Sequence, residues 1–302
     1  MHRHLNKPTV DVLIASFNGE RFLAEQLESL ARQEDVNVRV WVNDDGSIDE
    51  TLKILYKWQE KGLIKGISKT QRVGSTRAFL NLLSEHPDSE YVAFCDQDDI
   101  WDPKKLSTQT SKITNEMPLG VTSKRLYIDD SGGIIGASKK PRKSPSFENA
   151  IVENIVPGNT VLINNLAISL INKYPNPAVK HYDSWIYLLL TYFGEITYID
   201  LPLVKYRIHE GNLVGLRRYG FGRFLDSAEN YLIQARYLGK VVGPNLSQDK
   251  NPVLAHLISI YEKKGKVQKA VLIIKLSVVR QRRIDQLAIK IMFLVLVFTS
   301  RI

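Results

Sequence analysis

The sequence predicts an α/β fold with a mainly parallel central sheet, followed by a helical C-terminal region. Short apolar runs alternate with helical patterns through the first hundred residues. These runs are almost continuously apolar, which is typical of strands that helices cover on both faces. After residue 215 the pattern becomes helical and basic. We therefore expect one domain over residues 1–215 and a basic helical region over residues 216–302.

The predicted elements of the first hundred residues follow one another in strand–helix order. The strands are TVDVLIASF, VRVWVND, LIKGIS and YVAFCD, and the helices between them are RFLAEQLESLARQ, ETLKILYKWQEKG and STRAFLNLLSEH. Residues 47–50 form a capping box that opens the second helix. Ligands of such sheets bind beyond the carboxyl ends of the strands, where the strand order reverses. Polar clusters at 16–18, 44–47 and 96–99 fall at such ends, so we expect them to converge.

The remainder of the chain is less regular. Residues 139–146, KKPRKSPS, are basic and proline-rich and predict a surface loop. A second block follows, with the segment IVPGNTVLINN, a helix from about Asp183 to Tyr192, and the run ITYIDLPLVKYRIHEGN. After Gly215 we expect helices that are interrupted at GPNLSQDKNP and at KKGK.

Composition indicates an intracellular protein. The chain has 302 residues, 44% of them hydrophobic and 24% charged, which is ordinary for a soluble protein. Cys95 is the only cysteine, so no intrachain disulfide can form and a reducing compartment is indicated. The N-terminal segment has no apolar run long enough for a signal peptide. We therefore expect a cytoplasmic protein.

The positive charge is concentrated in the last third of the chain. From Leu216 onward there are 16 lysines and arginines against 5 acids, a net charge of +11, whereas the rest of the chain has 25 against 27. Such a region suits an anionic partner, either membrane lipid or nucleic acid, although a solvated helical face has the same pattern. Nucleic-acid binding would require aromatic side chains among the bases. Only Tyr261, Phe293 and Phe298 follow Val241, so we expect no nucleic-acid partner.

The C-terminal stretch combines basic and apolar residues. Its uncharged end, Ile291–Ser300, has about half of the ~20 residues that a membrane span requires. A basic helix with an apolar end lies in the membrane interface. The alternative is packing on the preceding domain or on a second subunit. We favour peripheral association with an anionic membrane surface, on the inner face of the cell membrane.

Three carboxylates, Asp96, Asp98 and Asp99, follow the apolar run YVAFC. Like charges this close repel one another unless a cation lies among them. Hard oxygen ligands favour Mg²⁺ or Mn²⁺, and these ions often bridge to substrate phosphates. The alternative is a loop tip in which aspartates form turns and caps. Asp102-Pro103 does fit a helix start, but that leaves the three upstream acids unexplained.

Five motifs together resemble the family 2 glycosyltransferases, in their rhamnosyltransferase branch. They are LIASFNGERFLAEQLESL, VNDDGSIDET, FCDQDDIW, HYDSWI and YRIHEGNLVG, and they occur in the order of that family. The resemblance covers about residues 9–215, and the helical tail only weakly. It implies a GT-A-type nucleotide-binding sandwich, which agrees with the strand–helix alternation.

The resemblance implies a role for each matching residue on the donor side. Ala15, Phe17, Asn18 and Glu20 match the first nucleotide-binding segment, Asp45 the acid that meets the pyrimidine ring, Asp96 the acid near the ribose, Asp98 and Asp99 the metal site, and Arg77 and Arg207 basic residues near the nucleotide and diphosphate. His209 matches a residue that completes the metal shell or binds a phosphate. A lone arginine or histidine is also common as a plain polar surface group.

Asp183 matches the family's catalytic base. Inverting sugar transfer needs a carboxylate that takes the proton of the attacking hydroxyl, although an N-cap of the helix SWIYLLLTYF would explain Asp183 equally well. Gly158, Asn159 and Trp185 match the acceptor side. Asn159 stands where this branch usually has cysteine, Ser184 where a second tryptophan often follows the acid, and Phe17 where tyrosine is usual. The acceptor therefore stays open.

The resemblance implies a metal-dependent inverting glycosyltransferase using Mn²⁺ or Mg²⁺. It would move rhamnose from dTDP-rhamnose onto a polysaccharide or lipid-linked glycan acceptor. A UDP-hexose transferase of the same fold is the alternative. A nucleotidyltransferase would use similar carboxylates but usually has a glycine-rich phosphate loop, which SFNGERF lacks. A non-enzymatic interaction protein would not need acids at the strand ends. The oligomeric state is left open.

Overall fold

The computed structural model describes residues 7–210, 221–242 and 252–299. These residues form two compact units. The first unit contains the described residues 7–140, 156–173 and 193–210, and the second contains 141–155, 174–192, 221–242 and 252–299.

The first unit is built on a nine-stranded sheet. Its strands are β1 (Thr9–Ser16), β2 (Asn37–Asp44), β3 (Ile64–Lys69), β4 (Tyr91–Asp96), β5 (Ile100–Trp101), β6 (Leu119–Ile128), β7 (Ile134–Ala137), β8 (Leu162–Asn164) and β9 (Glu195–Arg207). The order is β3-β2-β1-β4-β8-β6-β9-β5, with β7 paired to β6. The pairs from β3 to β4 are parallel, as is β6 with β9, whereas β8, β5 and β7 pair antiparallel.

The helices of this unit fill the connections between the strands. They are α1 (Leu23–Ala31), α2 (Thr51–Glu60), α3 (Ser75–Glu85), α4 (Lys105–Thr110) and α6 (Asn165–Lys173), with a 3₁₀ turn at Gly158–Thr160. Leu23, Leu27 and Leu30 lie on one face of α1 and pack with the buried face of β1 in the main core. This repeat of four and three residues is the helical spacing that the sequence shows.

The strand order reverses at β1. The chain runs outward from β1 to β2 and β3 and then returns to place β4 on the other side of β1. The register aligns Ser16 with Asp44, and Ala15 with Asp96. The three polar clusters therefore end at one edge, where such folds bind ligands. The predicted α/β fold with a mainly parallel central sheet is confirmed.

The second unit is helical in its described residues. It contains α5 (Phe147–Ala150), α7 (Tyr182–Phe193), α8 (Phe221–Val242), α9 (Pro252–Glu262), α10 (Lys266–Lys275) and α11 (Arg283–Phe298). Every residue from Ser184 to Leu190 of α7 is buried, because a helix that is apolar all round belongs inside a core. The predicted helical C-terminal region is confirmed. The predicted division at residues 215 and 216 does not describe the compact units, since α5 and α7 pack with the later helices.

Candidate active site

Asp44, at the end of β2, joins the loop after β1 (the first loop) to the loop after β2 (the second loop). Its carboxylate accepts hydrogen bonds from the main-chain N–H groups of Gly46 and Ser47 and from the hydroxyls of Ser47 and Ser16, at 2.6 to 3.3 Å. Asp44 is buried, and these four donors satisfy its charge. The first acid of the DDGS motif therefore shapes the edge of the sheet and presents no free oxygen.

The loop after β1 is held by reciprocal contacts with the second loop. Asn18 has a left-handed backbone with φ +47°, which asparagine tolerates better than most residues. Its Oδ1 accepts from the N–H of Ile48 at 3.0 Å, and its own N–H donates to Ser47 Oγ at 2.9 Å. Glu20 accepts from the N–H of Glu50 at 2.9 Å. Ala15 is half-buried, and the ring of Phe17 stays exposed at this edge.

Asp45 holds the turn that leads into α3. Its carboxylate accepts from Thr70 Oγ1 at 2.9 Å and from the N–H groups of Val73 and Gly74 at 2.7 and 2.8 Å. Gly74 has a φ of +82°, a conformation that favours glycine. The acid predicted to meet a pyrimidine ring therefore has three donors already. Arg77 is exposed on the first turn of α3.

Gln97 lies in the loop after β4 (the third loop) and joins it to the first loop. The sequence analysis missed this residue. Its Oε1 accepts from the N–H of Phe17 at 2.9 Å, and its Nε2 donates to the carbonyl of the same residue at 3.0 Å. A Cβ on Gly19 would lie 2.5 Å from Gln97 Oε1, so the glycine makes room for this pairing. Its position between two candidate site acids, Asp96 and Asp98, was the signal that could have identified it.

Asp98 and His209 face each other across the third loop. Asp98 Oδ2 lies 2.8 Å from His209 Nε2, and both side chains are about 15% exposed. The histidine ring packs on Phe22 with ring centroids 5.1 Å apart. Asp96 is half-buried at the end of β4.

These residues fit a divalent cation that also binds a diphosphate. Within the described residues no three His, Cys, Asp or Glu side chains form a ready-made metal cluster. One carboxylate and one imidazole are nevertheless suitable ligands for Mn²⁺. Mg²⁺ is commonly held by one or two carboxylates together with substrate phosphates. A shell shared with a diphosphate is therefore the arrangement that this pair of side chains suits.

Asp99, predicted as a second metal ligand, lies behind the site. It is fully buried, its Oδ2 accepts from Asn159 Nδ2 at 2.5 Å, and its Oδ1 accepts from the N–H of Arg207 at 3.3 Å. Burial, followed by the nearby charges of Asp96 and Asp98, raises the pKa of Asp99 well above its usual range. The structure does not support metal ligation by Asp99, since neither oxygen reaches the surface. Asn159 is buried with it, as is Gly158 in the 3₁₀ turn, so acceptor contact by either residue is not supported.

Arg207, predicted to bind the diphosphate, is buried and binds other parts of the protein. Its Nε donates to the carbonyl of Asp98, and its Nη1 donates to the carbonyls of Asp129 and Asp130, at 2.9 to 3.1 Å. Its Nη2 forms an ion pair with Glu25 at 2.5 Å, and the guanidinium stacks on Phe22 at 4.5 Å. The arginine side chain is only 2% exposed. The predicted phosphate contact is not supported, because the guanidinium is enclosed and its donors serve the protein.

Asp183 and Trp185 belong to the second unit, at the start of α7. Asp183 is half-buried, and its Oδ1 accepts from the N–H of Ser184 at 2.7 Å. Burial raises the pKa of Tyr231 to about 12, and the negative charge of Asp183 adds to this shift. Trp185 is fully buried, donates to the carbonyl of Tyr174 at 3.1 Å and packs edge-on to Tyr237. Two helical positions separate Trp185 from Asp183, so it points into the core, and its predicted acceptor contact is not supported.

The family model for glycosyl transferase family 2 matches residues 11–169, more than half of the chain. The chain belongs to glycosyl transferase family 2. The match spans the strand edge with Asp45, Asp96 and Asp98, and it confirms the predicted enzyme class.

Relatives and solved structures extend the comparison of this family 2 glycosyltransferase. It is 27% identical over 216 residues to the dTDP-rhamnosyl transferase RfbG of Shigella flexneri, which covers 67% of this chain and 73% of that protein. It is 24% identical to the UDP-Glc:alpha-D-GlcNAc-diphosphoundecaprenol beta-1,3-glucosyltransferase WfgD of Escherichia coli, covering 68% and 79%.

Solved structures with a similar fold include two complexes with nucleotide sugars. TarS of S. aureus with UDP-GlcNAc superposes with a TM-score of 0.58 at 18% identity, covering 88% of this chain and 79% of that one. The mannosyltransferase PcManGT of Pyrobaculum calidifontis, with GDP-Man and Mn²⁺, gives 0.55 at 17% identity, covering 99% and 89%. At these identities the likeness shows the GT-A-like fold.

Proposed function

We propose that this glycosyltransferase moves rhamnose from dTDP-rhamnose, with inversion, onto a polysaccharide or lipid-linked glycan acceptor in cell-surface glycan synthesis. The Asp98–His209 pair at the reversal point of the sheet is the observation that carries the donor site. The donor sugar is supported by the similarity to a dTDP-rhamnosyl transferase along 73% of that protein.

Asp98 and His209 are the residues that we propose to hold Mn²⁺ or Mg²⁺ together with the donor diphosphate. The bound cation would offset the negative charge that gathers on the leaving diphosphate. Asp98 is kept in place by its own main chain, since its carbonyl accepts from Arg207 Nε at 3.1 Å. In this proposal Asp99 and Arg207 position the third loop instead of contacting substrate, and Asp96 faces the ribose.

The nucleotide would lie along the edge formed by the first two loops. Phe17 is 42% exposed there and offers its ring face to a base. Asp45 is 8% exposed and fixes the turn beside it, so we propose that this turn, with the exposed Arg77 next to it, borders the base and phosphates. Ala15, Asn18 and Glu20 shape this edge through main-chain contacts.

Asp183 is the residue that we propose as the general base. Attack on the anomeric carbon requires removal of the acceptor hydroxyl proton, and a carboxylate within hydrogen-bond reach accepts it. Asp183 is half-buried at the helix start, unlike Ser184 and Trp185, which are buried. Asp98 would thus hold the cation at the phosphates, and Asp183 would accept the proton of the acceptor hydroxyl.

A released-nucleotide assay tests the donor. The full-length chain is incubated with Mn²⁺ and either dTDP-rhamnose, UDP-glucose, UDP-N-acetylglucosamine or GDP-mannose, and slow hydrolysis of the donor reports its acceptance without an acceptor. Preference for dTDP-rhamnose supports the proposal, and preference for a UDP-hexose contradicts it. Loss of turnover on chelation with EDTA supports metal dependence.

A UDP-hexose transferase is the second candidate. The relative WfgD is described as using UDP-Glc, and the TarS crystal structure contains UDP-GlcNAc. Like dTDP-rhamnose, these two donors carry a pyrimidine base and a diphosphate. The base would meet the Asp45 turn, and the diphosphate would meet the Asp98–His209 pair. The same assay separates the two candidates.

The cellular position belongs to the proposal as well. No helix among the described residues has the length and apolar character needed to cross a bilayer. We propose a cytoplasmic enzyme that associates peripherally with the inner face of the cell membrane, where a lipid-linked acceptor would be presented.

A further inference from the structure

Helix α10 has an exposed apolar stripe. Val267, Val271 and Ile274 are 71%, 44% and 59% exposed, and their spacing of four and three residues places them on one helical face. On the opposite side, Ile273 is buried in the second unit. The helix thus packs through one face and leaves large aliphatic side chains outside.

Helix α11 repeats this arrangement. Leu287, Ile291 and Phe298 are 63%, 51% and 55% exposed, again at helical spacing. Residues on its other side are buried, among them Ile289, Phe293 and Leu296. Packing on protein, one of the two alternatives that the sequence left open for this helix, therefore accounts for only one of its faces.

Helices α10 and α11 are neighbours that run antiparallel. Lys266 Nζ, at the start of α10, donates to the carbonyl of Phe298 at 3.0 Å, and Lys290 Nζ, on α11, donates to the carbonyl of Ile274 at 2.9 Å. Each lysine therefore caps the C-terminal end of the neighbouring helix. The six exposed apolar residues belong to these two neighbouring helices, and we name them together the α10–α11 face.

Basic residues outnumber acids in residues 262–298, where Glu262 and Asp285 are the acids. Helix α10 contains Lys266, Lys269 and Lys275 and no acid, and α11 contains Asp285 as its single acid. Lys263, Lys264, Lys275 and Arg282 are exposed beside the helices. An apolar stripe bordered by bases is complementary to a surface that offers acyl chains below and phosphates above.

We infer that the α10–α11 face is the docking surface for an anionic lipid bilayer. It deepens the peripheral association proposed above and does not depend on which sugar is transferred. The six apolar side chains enter the boundary between headgroups and acyl chains, while the helices lie in the plane of the membrane. The exposed lysines and Arg282 meet lipid phosphates.

A second copy of the chain is a poorer occupant of the same face. Pairing two copies through it would bring the lysine borders of both copies together, and like charges across an interface are unfavourable. Protein interfaces are also depleted in lysine. Anionic lipid removes this repulsion, because it supplies the opposite charge.

Sedimentation with vesicles tests the inference, using the full-length chain. Removing the helices would also remove their buried residues, so point substitutions are preferable. We compare the double variant Ile274→Glu, Leu287→Glu with the control Ile134→Glu, Ile135→Glu, which replaces two residues on β7 that are 63% and 55% exposed. Both pairs change the net charge equally.

With phosphatidylcholine–phosphatidylglycerol vesicles, the first variant should lose about tenfold or more in partitioning, as expected when apolar side chains no longer enter the interface. The control should bind like the unaltered protein. Binding of the unaltered protein should weaken with pure phosphatidylcholine and with added salt. Equal binding by the two variants would overturn the inference.

Site-specific labelling gives an independent measurement. Cys95 is the only cysteine and is buried, so Leu287→Cys or Ile134→Cys accepts an environment-sensitive fluorophore. A blue shift on anionic vesicles at position 287 alone supports docking. If size-exclusion light scattering instead shows a dimer that Ile274→Glu, Leu287→Glu dissociates, the face binds a second copy and the inference is wrong. Nucleotide binding in solution tests the donor site separately, so failure of either proposal is distinguishable.

Discussion

Asp98 Oδ2 lies 2.8 Å from His209 Nε2, although the two residues are 111 positions apart in the chain. The histidine follows the end of β9, next to the loop after β4. Strand β5, which comes directly after that loop in the chain, pairs with β9. The buried Arg207, two residues before the histidine, binds the carbonyl of Asp98 and so joins the end of β9 to the loop after β4. The proposed metal pair is thus a product of strand pairing and not of a local motif.

Replacing either member of this pair should remove the metal dependence of nucleotide binding. We expect Asp98→Ala and His209→Ala to weaken the Mn²⁺-dependent binding of dTDP at least about tenfold, because each removes one protein ligand of a cation that is shared with the diphosphate. Titration calorimetry with Mn²⁺ and with EDTA measures this. Asp130→Asn, which alters an exposed ion pair with Arg21, is the control. Unchanged metal dependence in both variants would remove the pair from the metal site.

Asp183→Asn should separate catalysis from donor binding. The amide cannot accept the acceptor proton, so we expect kcat to fall by about 10² to 10⁴ while dTDP binding stays unchanged. Steady-state kinetics with a natural or surrogate acceptor, together with a melting curve, measures both. Near-normal turnover would show that another group is the base.

Arg207→Met should act on stability first. The substitution leaves the carbonyls of Asp98 and Asp130 without the arginine donor and removes one of two donors to the carbonyl of Asp129. We therefore expect the free energy of unfolding to fall by about 3 kcal/mol or more. Urea unfolding measures the loss. Arg77→Met, at an exposed position, should stay within about 0.5 kcal/mol. If Arg207→Met instead kept full stability and lost only diphosphate affinity, the sequence-based role of Arg207 would be correct.

Gly19 and Gln97 should be energetically coupled. The new Cβ of Gly19→Ala would displace Gln97 from Phe17, whereas in Gln97→Ala the space is already empty. The double variant should therefore be less destabilised than the sum of the two single variants, by about 0.5 kcal/mol or more. A double-mutant cycle from urea unfolding measures this coupling, and strict additivity would contradict the contact.

Lys105 should make stability depend on pH above neutrality. It is fully buried on α4, donates to Gln109 Oε1 at 3.0 Å and lies over the Trp101 ring. Burial lowers its pKa from 10.5 to about 7, so between these values the unfolded chain binds the extra proton. Stability should therefore rise with pH across this window, by up to about 1.4 kcal/mol per pH unit.

Lys105→Met removes this titrating group. Urea unfolding at a series of pH values from neutrality upward should show a shallower rise for the variant than for the unaltered protein. An identical slope would mean that Lys105 keeps the same protonation in the folded and unfolded states.

The first four strands and three helices could be predicted from local patterns. An apolar run ended by polar residues indicates a buried strand whichever partner it finds, as Tyr91–Asp96 shows. The edge that gathers Ser16, Asp44 and Asp96 also followed, because parallel strands joined by helices must end on the same side. The roles of particular side chains did not follow in the same way.

Arg207 and Trp185 show where residue type misleads. The planar fork of an arginine suits phosphate oxygens, but β9 turns the guanidinium of Arg207 inward to main-chain carbonyls and Glu25. Trp185 matches a family position on the acceptor side, but every residue of α7 from Ser184 to Leu190 is buried. Burial depends on neighbours from distant parts of the chain, which local spacing does not contain.

The linear order of residues was enough for the fold class, the family and the acids at the strand ends, since hydrophobic periodicity and short motifs are local properties. Three-dimensional packing decided which acids stay accessible, which cations are enclosed and which face of α11 is exposed. The physical reason is that a side chain such as Arg207, enclosed and hydrogen-bonded by the protein, has no donor left for a ligand. That outcome is settled by hydrogen bonds between segments more than a hundred residues apart, such as those from Arg207 to Asp98 and Glu25.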